Sequence, residues 1–426
     1  MSLTVPHTPA PVVTVTPSAG TEPASPDALR AHVAAAALRP SGTGTVGLEL
    51  ERHVVDLAAP RRRVGWDRLT SLVAGFTPPA GSRLTLEPGG QVELSTPPGD
   101  LVGTVGALER DVAATDALLA SDGLVALAVG LDPVRPPARV HPGSRYRAME
   151  AHFDAVGHGL DGAAMMASTA SLQVNLDAGP AAGWAARLQH VRRLTPVLVA
   201  LAATSPLRAG AATGAVCGRQ DVWGRLEPGR CRAPGAGTDP VEDWTEFTVA
   251  APVMFVRARA TGEFVPVRGT VAFRDWADGT VLLDGRRPGT DDVETHLTTL
   301  WPPVRLRGFA ELRFLDAVPA AWRPGLAAVV ATVVDDPAAA DAAAAAADPV
   351  AGRGAEAVRL GLGDPALRRA ALGVVEVAAA RVDPALRPAV EAWADLLRAG
   401  RSPVDLVLDR YRADGPDACL TAEELR

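Results

Sequence analysis

The stretch Val46-Gly47-Leu48-Glu49-Leu50-Glu51-Arg52 decides how this chain is read. In a β-strand successive side chains point to opposite faces, so Leu48 and Leu50 share one face while Glu49 and Glu51 share the other. Four further segments repeat the pattern. Arg83–Glu87 sets Leu84 and Leu86 against Arg83, Thr85 and Glu87. After a Pro88-Gly89-Gly90 turn, Gln91–Ser95 sets Val92 and Leu94 against Gln91, Glu93 and Ser95. Ser171–Asp177 divides into Leu172, Val174 and Leu176 on one side and Ser171, Gln173, Asn175 and Asp177 on the other. Phe309–Phe314 divides into Ala310, Leu312 and Phe314 against Phe309, Glu311 and Arg313.

Alternation alone describes any antiparallel sheet with one buried and one wet face. The polar set here is unusual, because it gathers Glu49, Glu51, Glu87, Glu93 and Glu311 with the amides Gln173 and Asn175. Like charges on neighbouring strands repel one another. They become tolerable when divalent cations lie between them, and an all-oxygen, histidine-poor set suits Mg²⁺ shared with a nucleotide better than Zn²⁺. His53, next to this set, reads as a surface or core histidine. Positive charge comes from a Gly/Pro-rich loop carrying Arg219, Trp223, Arg225 and Arg230, and from Arg305 and Arg307, which lead into the Glu311/Arg313 strand. Forked guanidinium groups suit carboxylate and phosphate oxygens.

Composition bounds the rest. The chain has 426 residues, 47% hydrophobic and 21% charged, which is enough to bury a core. At roughly 150 residues per domain it should hold two to three units. A net charge of −7 argues against a nucleic-acid-coating protein. All 42 basic residues are arginine. The absence of lysine excludes a P-loop lysine, a Schiff base, a pyridoxal enzyme and a protein-kinase lysine. Cys217, Cys231 and Cys419 form no C-x-x-C pair, so they read as free thiols in a reducing compartment. No apolar run of about 18 residues suggests a membrane span. Residues 1–25 are rich in Pro, Thr and Ser without a signal-peptide pattern and read as a disordered tail. A cytoplasmic protein is expected.

The body is expected to be α+β over residues 26–320, with Ser25 as the first helix cap and helices at Gly103–Ser121 and Ala181–Ala203. Residues 321–426 read as a helical region packed on that body, with helices at Pro365–Val382 and Pro384–Ala399. The alanine-rich Pro337–Ala347 suggests an exposed helix or slack linker. Thr421-Ala-Glu-Glu424 has the spacing of a capping box opening a terminal turn.

Taken in order, the motifs resemble those of glutamate–cysteine ligases: GLELER (47–52), LEPGGQVELST (86–96), STASLQVNLD (168–177), RQDVWGRLEPGR (219–230), EDWTEFTVAAPVMFVR (242–257), FRDW (273–276) and HLTTLWPPVRLRGFAELRFLD (296–316). The resemblance covers Thr45 to Asp316 and is to the plant-like branch, specifically the actinobacterial enzymes that feed ergothioneine synthesis. It implies a glutamine-synthetase-like α+β fold, in which a curved antiparallel sheet flanked by helices forms a funnel for ATP, Mg²⁺ and amino acids. Glu49, Glu51, Glu93 and Glu311 would be metal ligands, with Glu87 a companion. Glu49 and Glu51 would thereby take part in catalysis, and Arg313 would contact the transferred phosphoryl group. Gln173, Asn175, Arg219, Trp223, Arg230 and Arg305 complete the implied substrate- and nucleotide-binding set. The plant enzymes' regulatory cysteines have no counterpart here.

The implied reaction joins L-glutamate to L-cysteine through γ-glutamyl phosphate, with no membrane, nucleic-acid or obligate protein partner. Three rivals are a related ligase using another amine, a phosphagen-type kinase stopping at phosphoryl transfer, and a non-catalytic metabolite sensor. A sensor would have lost its metal ligands, and the intact carboxylate set argues against it.

Overall fold

A computed structural model describes residues 24–426; the predicted tail, up to residue 23, lies outside the described residues. Strand β1 (Val46–Asp56) runs through the middle of the main sheet. The other strands of that sheet are β2 (Arg83–Leu86), β3 (Val92–Ser95), β4 (Leu124–Leu127) and β5 (Leu172–Leu176). Two small ribbons follow, β6 (Leu207–Arg208) with β7 (Ala211–Ala212) and β8 (Phe255–Arg257) with β9 (Phe264–Pro266). The last strands, β10 (Val304–Leu306) and β11 (Ala310–Leu312), complete the order β10-β11-β5-β1-β3-β2, with β4 on the second half of β1. Every pair in the main sheet is antiparallel.

The register carries the functional consequence. Glu51 lies opposite Glu93, and Glu93 opposite Thr85; Glu49 lies opposite Gln173, Asn175 opposite Glu311, and Glu311 opposite Arg305. Directly opposed residues share a face. The polar sets of all five alternating segments therefore turn the same way. On the reverse face Leu48, Leu50, Leu94, Leu172, Val174 and Leu312 are buried. They share one core with the helices Leu101–Ala120, Trp184–Ala202 and Arg323–Asp335.

Beyond Glu51 the strand is covered on both faces, and His53 is a core residue. Burial pushes its imidazole down to about 4, which keeps it neutral at ordinary pH.

The predicted helices form with shifted ends. Leu101–Ala120 starts two residues early because Asp100 caps it, accepting from Gly103 N at 2.8 Å. Ala181–Ala203 divides into a 3₁₀ turn, Ala181–Gly183, and the helix Trp184–Ala202. Pro384–Ala399 forms only as Arg387–Arg398, with Pro388 in the first turn, where a missing N–H breaks no hydrogen bond. The C-terminal helices join the sheet's own core. Arg323, itself buried, grips both oxygens of Glu109 at 2.8 Å on the helix Leu101–Ala120. A Cβ at Gly325 would stand 2.4 Å from Ala389 O, so only glycine lets the helices Arg323–Asp335 and Arg387–Arg398 meet there.

Two expectations are corrected. Pro337–Ala347 is a capped helix with one face exposed and the other packed into the protein, not a slack linker. Asp336 accepts from Ala339 N at 2.9 Å, and Ala339, Ala343 and Ala347 are fully buried, a spacing of four that places them on one face. Its methyl groups are small enough to let the helix Pro365–Arg381 close in, and a Cβ at Gly373 would already meet Ala346 Cβ at 3.2 Å. The second correction is that Thr421 ends the helix Ala418–Thr421 and caps nothing; a 3₁₀ turn, Glu423–Leu425, follows. Packing sets that path, for Leu420 and Leu425 are buried with Val55 and Leu127, and Leu425 O accepts from Ala128 N at 2.8 Å.

Candidate active site

The polar face of the sheet borders a cavity of about 270 Å³. Glu49, Glu51, Glu87, Glu93, Gln173, Arg219, Trp223, Arg305 and Arg313 all line it. Glu49 and Glu51 come from β1 and Glu93 from β3. Glu87 stands just past β2, held by the Pro88-Gly89-Gly90 turn: its N–H donates to Gln91 O and its carbonyl accepts from Gly90 N, both at 2.8 Å. Gly90 has φ +85°, and a Cβ at Gly89 would fall 2.2 Å from Ala167 O, so both positions require glycine. Gln91 Nε2 donates to Thr169 O at 2.8 Å, tying the turn to the approach of β5.

The carboxylates of this row have neutral partners. Glu49 accepts from Asn175 Nδ2 at 3.1 Å, Glu51 from Ser171 Oγ at 2.9 Å, and Glu93 from Thr85 Oγ1 at 2.8 Å and Ser95 Oγ at 3.2 Å. Among the described residues none of Glu49, Glu51, Glu87 and Glu93 has an arginine or histidine within 4.0 Å. Burial raises the pKa of all four, and their mutual repulsion adds to it, most strongly at Glu87, which also faces Glu93, Glu51 and Glu49.

Glu311 has the opposite environment. Its side chain is wholly buried beneath arginines: Arg305 binds both its oxygens through Nε and Nη2, while Arg313 Nη1 lies at 3.3 Å and Arg307 Nη1 at 3.4 Å. Burial opposes ionisation, but Arg305 and then Arg313 outweigh it and bring the carboxyl to about 2. Of the five carboxylates predicted as metal ligands, four face the cavity and Glu311 is sealed by guanidinium groups.

Arg313 lies between the two environments. It donates to Gln173 Oε1 at 2.9 Å, pairs with Glu311, and feels Glu51 and Glu49, which raise its pKa against the effect of burial. Arg219 braces it from behind, with Nη2 donating to Arg313 O at 2.9 Å and Nη1 to Leu315 O at 3.3 Å. The Arg219 guanidinium also sits 6.0 Å from the Trp223 ring centroid.

Besides Glu311, two of the sequence-predicted residues do not reach the cavity. Arg230 is fully buried, and every side of its guanidinium is occupied: Nε by Glu227 at 2.6 Å, Nη1 by Thr299 at 3.2 Å, Nη2 by Pro252 O at 2.7 Å. Buried and outside the lining, it presents no donor to a substrate carboxylate in the cavity. Its carbonyl accepts from Trp301 N at 2.7 Å, so it props the segment that brings Trp301 to the lining. Asn175 also misses the cavity and acts only through Glu49.

A second group in the lining escaped the sequence reading: Arg145, Tyr146, Met149, Met165, Met166 and Trp301. Tyr146 stays protonated, pushed up to about 12 by burial and by Glu87. These residues sit on the helices Ser144–Ala155 and Gly159–Ser168 and in the loop before β10. Apolar residues at helical spacing look alike whether they face a core or a cavity. One compositional signal existed: three of the chain's five methionines gather here. The thiols take no part, since Cys217, Cys231 and Cys419 are buried and burial raises the pKa of each.

The donor set fits a hard divalent cation, because the four cavity carboxylates are all-oxygen, partly desolvated and without a cationic partner. No group of three carboxylates, histidines or cysteines among the described residues forms a ready-made cage.

Comparison with known proteins identifies the family and the fold. The family model described as Glutamate-cysteine ligase family 2 (GCS2) matches residues 45–422. The glutamate–cysteine ligase EgtA of Mycolicibacterium smegmatis is 45% identical over 395 residues, 92% of each chain. EgtA of Mycobacterium tuberculosis is 44% identical over 382 residues, 89% of this chain and 88% of that one. The chloroplastic glutamate–cysteine ligase of Medicago truncatula is 32% identical over 56% of this chain and 47% of its own. The crystal structure of the Francisella tularensis glutamate–cysteine ligase, in complex with AMP, matches 91% of this chain and 88% of that chain with a TM-score of 0.55 at 14% identity, a likeness of fold.

Proposed function

The chain belongs to glutamate-cysteine ligase family 2, and from that premise we propose that it joins the γ-carboxylate of glutamate to the amine of cysteine with ATP and Mg²⁺. The product is γ-glutamylcysteine. The observation that carries this is one cavity in which four carboxylates without cationic partners and Arg313 share a single sheet face. The similarity to the two EgtA chains supports the choice of substrates, and our motif reading places the product in ergothioneine synthesis. No helix among the described residues is long and apolar enough to cross a membrane.

The reaction takes two displacements. An oxygen of the glutamate γ-carboxylate attacks the γ-phosphorus of ATP, and ADP leaves. The cysteine nitrogen then attacks the acyl carbon, the carbon–oxygen bond to phosphate breaks, and the nitrogen loses a proton. Glu49, Glu51, Glu87 and Glu93 would hold Mg²⁺, which when bound neutralises the triphosphate and the carboxylates together. Arg313 supplies a planar donor fork at the edge of that row, suited to charge spreading over the transferred phosphoryl. Arg219 and Gln173 hold the fork in place.

The test is a product assay by mass spectrometry, with glutamate, ATP and a panel of amines, using glutamate labelled with ¹⁸O in its γ-carboxylate. Cysteine is expected to be the preferred acceptor, and one ¹⁸O atom should appear in the released phosphate. Unlabelled phosphate under full turnover would refute the acyl-phosphate route, and preference for another amine would refute the assigned acceptor.

A further inference from the structure

Charge on the sheet face is distributed unevenly. Three guanidinium groups converge on Glu311, while Glu49, Glu51, Glu87 and Glu93 have none within ion-pair distance among the described residues. One carboxylate needs one positive charge, so Glu311 is over-compensated and its neighbours are left to repel one another. The three arginines are not equivalent. Arg313 is held within the sheet by Gln173 and by its own N–H, which donates to Pro303 O at 2.9 Å. Arg305 lies on β10, the edge strand, Arg307 lies just past its end, and both reach the cavity. Arg307 touches only one oxygen of Glu311, and its side chain is 53% exposed.

We propose that Arg305 and Arg307 stand in for a cation at Glu311 and release it when a polyphosphate and a divalent ion enter together. The inference rests on the proposed use of Mg²⁺ and ATP. In the described state Glu311 is closed to a metal by its arginines. A polyphosphate offers those arginines an alternative partner that guanidinium forks bind well. Once they turn to it, Glu311 becomes free to join the other four carboxylates. Each ligand then removes an obstacle to the other, which is a coupling between two binding events and is reciprocal. A metal alone meets a blocked Glu311, and a polyphosphate alone meets arginines already engaged. The exchange would make the site resist filling by one component.

The probe is Mn²⁺, read as protein-bound metal by equilibrium dialysis of the full-length chain, alone and with inorganic tripolyphosphate on both sides of the membrane, so that Mn²⁺ held by tripolyphosphate in solution is not counted as bound. For the wild-type chain, tripolyphosphate should tighten Mn²⁺ binding by about tenfold or more. In Arg305→Ala, and to a smaller degree in Arg307→Ala, Mn²⁺ alone should bind more tightly than in wild type, and the gain from tripolyphosphate should shrink. An arginine that merely supports the fold would leave Mn²⁺ affinity equal or weaker when removed, with the coupling intact, and that result overturns the exchange. Arg307→Ala, at a half-exposed position, keeps the test valid should Arg305→Ala fail to fold. If neither wild type nor variants bind Mn²⁺ even with tripolyphosphate, the divalent-ion reading itself falls, and the exchange with it.

Discussion

Arg313 is the residue on which the chemistry and the architecture meet. It contacts Glu311 and Gln173 and faces the cavity, so it both quiets a crowded acidic face and presents a donor fork. The two roles separate on substitution. Arg313→Lys keeps the charge but loses the planar fork, and kcat should fall about a hundredfold, as for loss of one preorganised donor, with Mg²⁺ dependence little changed. Arg313→Ala should in addition lower the melting temperature, because Glu311 and Gln173 each lose a partner. Steady-state kinetics and thermal melting of both variants decide the matter; a nearly fully active Lys variant would leave only the charge-balancing role. At this scale the sequence was most informative for strand residues, since the period of two fixes which side chains share a face. It misled at Arg230, where an Arg in a Gly/Pro-rich loop looks the same whether it meets a substrate or, as here, Glu227, Thr299 and Pro252.

Among the elements, the alanine-rich helix Pro337–Ala347 gives the sharpest lesson. Its composition resembles a spacer, yet Ala339, Ala343 and Ala347 form a buried stripe, and the neighbouring Ala346 closes on Gly373 of the helix Pro365–Arg381. Small side chains there are a packing requirement. Ala343→Leu should therefore destabilise the protein by about 1–3 kcal/mol, the usual cost of overpacking a filled core, while leaving KM values intact. A denaturant melt measures this; a slack linker would accept the change without loss. The strands that carry the carboxylate row behave in the contrary way. Their polar faces border the cavity and gather like charges, and their identity was visible because hydrophobic burial on the reverse face enforces strict alternation.

Across the whole molecule, the carboxylate row should leave a signature in how stability depends on pH. Glu49, Glu51, Glu87 and Glu93 all titrate above their ordinary value of 4.5. In the window above 4.5 the folded chain therefore holds more protons than the unfolded chain, and these groups make stability fall as pH rises. Glu311, at about 2, acts in the opposite sense: its contribution is complete above 4.5 and is lost as pH falls towards 2. A divalent cation relieves the repulsion only when the row is ionised. Mg²⁺ should raise the melting temperature more at about pH 8 than at about pH 5, read by thermal melting with and without the ion. Equal shifts at both pH values would mean that Mg²⁺ binds elsewhere.

The sequence by itself determined the five alternating segments, the common carboxylate face, the arginine-only source of positive charge and the resemblance that predicted the family. These are local or compositional properties, legible because strand periodicity and residue chemistry do not depend on distant partners. The tertiary structure alone decided which arginines are free to act. It buried Arg230 in a framework, placed Arg305 and Arg307 on Glu311, and brought Tyr146, Met149, Met165, Met166 and Trp301 from separate segments to one cavity. The reason is physical: a charge or a methionine acquires its role from what lies within a few ångströms of it, and those neighbours come from chain positions far apart in sequence.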